Sequence, residues 1–241
     1  MKEKEKKMYT LLLLLIYLAF ISLGLPDSLL GSAWPVMHKA FQVPLSYAGL
    51  VTMIISGGTI CSSLMSERLI KKFGTQIVTV FSVMLTAIAL FGFSTASAFW
   101  MLCLWAVPYG LGAGAIDAAL NNYVALHYNS RHMSWLHCFW GLGTIISPYV
   151  MSYALITSVW QNGYRMVSFI QIGITLILFV TLPIWKVNKK ETAQEEKAEE
   201  EMVGIKGALK IIGLLFITSL SVYWLSHLLC FASQYIPDGT V

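Results

Sequence analysis

Asp27 and Asp117 are the only acidic residues inside the long charge-free hydrophobic runs of this chain. A charged side chain at the centre of a bilayer-spanning helix costs about 2.5 to 3.5 kcal/mol on insertion scales, so such residues tend to mark function. Each aspartate has a glycine three residues earlier, Gly24 and Gly114, and Asn121 follows Asp117 at the four-residue spacing that shares one helical face. Burial disfavours the charged form of a carboxyl group, which suits proton uptake and release. Asp27, Asn121 and the neighbouring Asn122 offer hydrogen bonds to a polar solute. His137, among Trp135, Phe139 and Trp140, could relay protons, because imidazole changes charge near neutral pH. Trp140 and its neighbours could stack on a sugar ring. Plainer readings stand beside these: Asp27 caps the end of a shorter helix, His137 is a hydrogen-bonded packing residue, and the aromatics form an interfacial belt.

The elements that would position these residues are membrane helices. The chain has 241 residues, 57% hydrophobic and 12% charged, with a mean hydropathy of +0.69. That is far from the makeup of a soluble domain. About 20 apolar residues cross a bilayer core, which predicts spans near 8–34, 46–66, 76–93, 98–128, 134–158, 166–185 and 211–236. If the basic tail stays inside, fourteen of the sixteen Lys and Arg residues fall on the inner side, and only Lys39 and Arg165 fall outside. This asymmetry predicts a cytoplasmic amino terminus in the cell membrane. The net charge of +4 then reflects topology rather than nucleic-acid binding. A cleaved signal peptide is the rival reading of the start, but no small-x-small cleavage site precedes Asp27. The four cysteines lie in spans and read as small packing residues. Residues 186–210, rich in Glu and Lys, read as a solvated linker.

The stretch 63–74 carries Glu67, Arg68, Lys71, Lys72 and Gly74 after a small-residue helix end. It resembles the loop between helices two and three of the major facilitator superfamily. In that family it acts as a cytoplasmic latch; here the first glycine is absent and Glu67 replaces Asp. A plainer reading is that its basic residues are topology anchors. Asp117 to Val124, with an acid, two small residues and an Asn ahead of a Tyr, resembles the fourth helix of the fucose permease branch. The segments 24–35 and 135–143 resemble that branch's first and fifth helices. The resemblance implies an all-α polytopic bundle: a six-helix half built as a 3+3 inverted repeat over 1–185, the linker, and a seventh helix over 211–241 that begins a second half. It also implies that Asp27 and Asp117 take the places of the branch's proton-coupling and sugar-binding carboxylates. Aligning span one with span four pairs Gly24 and Asp27 with Gly114 and Asp117, near one midplane cavity. A complete member has twelve helices, so an altered reading frame or truncated gene is an expectation here.

Two functions follow. One is a secondary transporter, or its amino-terminal half, moving a small polar solute with protons, with Asp117 exchanging the proton. The other is a non-transporting remnant, or a half that needs a separate six-helix partner. No GxSxG, HExxH, P-loop or clustered metal ligands are present, so neither an enzyme nor a cofactor is expected. The expected partners are a solute, protons and the lipid bilayer, with no nucleic acid.

Overall fold

The computed structural model describes residues 2–185. The expected linker at 186–210 and the expected helix within 211–241 lie outside the described residues. All regular structure among the described residues is helical: α1 (Lys2–Asp27), α2 (Leu29–Ala40), α3 (Tyr47–Phe73), α4 (Thr75–Thr95), α5 (Phe99–His127), α6 (Ser130–Thr157), α7 (Trp160–Val180) and the single turn α8 (Leu182–Trp185). Six runs are long and apolar enough to cross a membrane, and α1 with α2 forms one of them, Tyr9–Ala40.

Three of the boundaries that differ from expectation move residues named above. The first span continues past Trp34 to Ala40, because Trp34 and Met37 are buried and the Trp34 indole N–H reaches the Leu45 carbonyl at 2.7 Å. Asp27, the last residue of α1, therefore stands at a break inside a longer span rather than at the span's end. The stretch expected as a latch loop is helical: α3 runs through Glu67, Arg68, Lys71 and Lys72 to Phe73, and only Gly74, at φ 85°, turns the chain into α4. Apart from this glycine the stretch has no helix breaker, and Glu67 pairs with Lys71 one turn on at 2.9 Å. The last described span begins at Trp160 rather than at 166, which puts Arg165 on a helix instead of in a loop. Trp160, Gly163 and Tyr164 are buried there, while Arg165 stays exposed and donates to Asn162 Oδ1 at 3.3 Å.

The dominant packing pairs are α3 with α5, α4 with α5, α1 with α6 and α4 with α7. Two of these crossings depend on glycine. A Cβ on Gly24 would overlap the Trp140 carbonyl, and one on Gly143 would overlap the Ile21 carbonyl, so α1 and α6 meet backbone to backbone. In the same way Gly110 and Gly114 of α5 press on the carbonyls of Ile55 and Thr59 in α3. Hydroxyls reinforce this second crossing: Thr59, Ser62 and Ser63 donate to the carbonyls of Gly110, Leu111 and Gly114. Gly24 and Gly114, matched by the expected repeat, thus do the same job at equivalent crossings.

Two apolar clusters fill the bundle. One gathers Leu29, Trp34, Met37, Phe93, Tyr109 and Tyr164; the other gathers Leu12, Ile16, Phe20, Leu120, Val124 and Leu136. Many large apolar side chains remain outside both clusters, among them Phe81, Tyr149 and Ile156, as expected of helices that face lipid or a further helical layer. Cys61 and Cys138 are exposed rather than packed in the core, and Cys103 is half-buried.

Candidate functional site in the middle of the bundle

Asp27 is held by two other helices. Tyr109 of α5 donates its hydroxyl to Oδ1 and Trp140 of α6 donates its indole N–H to Oδ2, each at 2.9 Å. Both carboxylate oxygens are thereby engaged, although the residue keeps an exposed side. Charge-assisted bonds of this kind are about twice as strong as neutral ones. Proline makes the approach possible, since Pro26 cannot continue the ladder of α1 and the chain re-enters a helix only at Leu29.

Asp117 is held differently. Its partner is Asn121 of the same helix, whose Nδ2 donates to Oδ1 at 2.9 Å. The other end of that amide, Asn121 Oδ1, is buried with no hydrogen-bond partner among the described residues. Asn122 is exposed and is turned about 100° around the helix from Asn121, so it does not share this face. His137 of α6 lies within electrostatic reach of Asp117 and meets Phe20 edge-on at 6.4 Å. His137 and Trp140 are three residues apart on one face of α6. That helix therefore holds Asp27 directly through Trp140 and carries His137 one turn earlier on the same face.

The acids sit at different depths. Tyr109, which holds Asp27, and Asp117 are about 12 Å apart along α5 at 1.5 Å per residue. The arrangement is a two-level polar column along α5 and α6 rather than a single dyad.

The latch residues lie apart from it, at the end of α3. There Glu67 and Lys71 form their exposed pair, Lys72 stands 5.3 Å over the Phe73 ring and Arg68 is exposed. Tyr109 and Trp140 as donors to Asp27 were not foreseen. No local signal marked either, since they lie 82 and 113 residues from Asp27 in sequence.

Residues 16–237 match the Major Facilitator Superfamily. The chain belongs to this superfamily. It is similar to Bypass of stop codon protein 6 of Saccharomyces cerevisiae, 23% identical over 66% of this chain and 33% of that protein. It is also similar to the glucose/mannose transporter GlcP of Bacillus subtilis, 22% identical over 74% of this chain and 44% of the relative. The matches thus span less than half the length of either relative. Among solved structures, the peptide transporter POT in complex with sulfate superposes with a TM-score of 0.59 at 15% identity, over 91% of this chain and 52% of that one. At that identity the likeness shows the fold alone. It is a major facilitator fold, and the chain is a multi-pass membrane protein.

Proposed function

We propose that the chain forms the amino-terminal six-helix half of a secondary transporter that moves a small polar solute, a sugar, together with protons by alternating access. The observation that carries this reading is the two-level column. Asp27 and Asp117 face donors from α5 and α6 midway along the bundle, where an isolated carboxylate would otherwise be costly. Asp117 has one intrahelical partner and a nearby imidazole, and it exchanges the proton. Asp27 and Asn121 bind the solute. The buried Asn121 Oδ1 is an open acceptor for a hydroxyl group, and Trp140 offers an aromatic wall. Asn122 and His137 are secondary candidates for solute contact. The printed name of the Bacillus relative, a glucose/mannose transporter, supports a sugar as cargo, and the motifs of the first, fourth and fifth spans favour the fucose permease branch. The basic residues favour an amino terminus in the cytoplasm of a cell membrane, with Glu67, Arg68, Lys71, Lys72 and Gly74 as a latch on that side. Residues 186–210 are proposed as linker and 211–241 as the start of the second half.

Proton-driven uptake of a panel of labelled sugars into vesicles, comparing Asp117→Asn and Asp27→Asn with the parent, tests the reading. Equal uptake by all three proteins removes both acids from the mechanism.

A second reading is a half that transports only beside a separate six-helix bundle. It is favoured by α3 and α6, which leave Met53, Leu64, Ile145 and Ile156 exposed. Transport by the purified chain alone, against transport after adding a second half, separates the two.

A further inference from the structure

Pro26 has no N–H to give to the carbonyl of Ser22 one turn earlier, and a carbonyl stripped of its partner inside a membrane must find another donor. The structure assigns that task to α7, where Gln171 donates from Nε2 to the Ser22 oxygen at 2.7 Å. The Gln171 side chain is almost wholly buried, and its Oε1 accepts the Thr86 hydroxyl of α4 at 3.0 Å. Ser168, one turn before it, donates to the Ala87 carbonyl at 2.8 Å. A single amide thus closes the gap left by the proline and joins three spans. Along α7 and α4 it sits between the two apolar clusters: Val167 and Ile174 flank Gln171, and Val83 and Ala89 flank Thr86.

The consequence falls on the next residue, Asp27, which ends α1. Its two donors come from other helices, so small changes in the path of α1 would move the carboxylate off one or both. We propose that Gln171 is a positioning residue for Asp27, fixing through the Ser22 carbonyl the break in the first span that presents the carboxylate to Tyr109 and Trp140. Gln171 touches neither acid. The inference rests on Asp27 belonging to the transport site, but its test does not need transport.

The full chain in lipid nanodiscs is followed by infrared difference spectroscopy, with the Asp27 carboxyl bands assigned by their loss in Asp27→Asn. Gln171→Leu is expected to lower the unfolding temperature and shift the Asp27 bands. Adding Pro26→Ala restores an N–H that bonds Ser22 within α1. The double variant therefore recovers the unfolding temperature but not the bands, since the helix now runs straight past Asp27. If Gln171→Leu does not fold, Thr86→Val, which loosens the same amide, gives a smaller shift in the same bands. Asp27 bands at the parental frequency in whichever variant folds overturn the positioning role and leave Gln171 as interhelical packing. Unchanged uptake by Asp27→Asn, by contrast, removes Asp27 from the transport mechanism proposed above and leaves the placement of the carboxylate untouched.

Discussion

Asp27 and Asp117 carry the same functional group on two spans of one bundle, each three residues after a glycine, yet their surroundings differ. Asp27 is tied from outside its own helix by a phenol and an indole, one to each oxygen. Asp117 is tied by an amide four residues along its own helix, beside a histidine. Removing the charge at Asp27 is therefore expected to disturb the contacts among three helices, and removing it at Asp117 to disturb only one intrahelical bond. The difference separates an acid that bridges three helices from one whose hydrogen bond stays within its own helix.

The comparison can be broken at several points. The largest effect is expected for Asp117→Asn: proton-driven uptake falls about 100-fold, the scale of losing a positioned proton-transfer group. Its unfolding free energy in detergent stays within about 0.5 kcal/mol of the parent, as for substitutions that disturb no packing. A stability loss as large as that of Asp27→Asn would erase the distinction. Asp27→Asn should cost about 1–3 kcal/mol, because the amide cannot accept from both donors and one of them is left unpaired. Tyr109→Phe removes one of the two bonds to Asp27 and is expected to cost about 1.5 kcal/mol, with the same solute preference as Asp27→Asn but a milder uptake defect. The smallest effect belongs to Lys71→Gln, where an exposed i,i+4 pair is lost for at most about 0.5 kcal/mol. A larger stability loss there, measured by thermal unfolding of the purified chain, would show that the end of α3 is held by more than its own helix.

Much of this was legible before any coordinates. Asp117 and Asn121 could be paired from spacing alone, because helical period fixes i and i+4. Hydrophobic length placed α5 to within a residue at each end. Boundaries failed where packing overrode charge: Arg165 resembles a loop residue until Trp160 and Tyr164 are seen buried on the same helix. The pair Glu67 and Arg68 likewise resembles a loop until α3 carries it, exposed, within two turns of its end at Phe73. The partners of Asp27 were not legible, since Tyr109 and Trp140 lie 82 and 113 residues away and nothing local selects them. Gln171 left a faint trace as the one amide in the predicted sixth span, but its target, a carbonyl freed by a proline on another helix, is defined only by the fold.

The crossing of α1 and α6 has a genetic consequence. Gly24 rests on the carbonyl of Trp140, the residue whose indole holds Asp27. Any side chain installed at Gly24 would push that tryptophan aside, so a selection for inactive variants would return the glycine together with the acid. Compensating changes should arise on the opposite helix, near Gly143 and Thr144, rather than along α1.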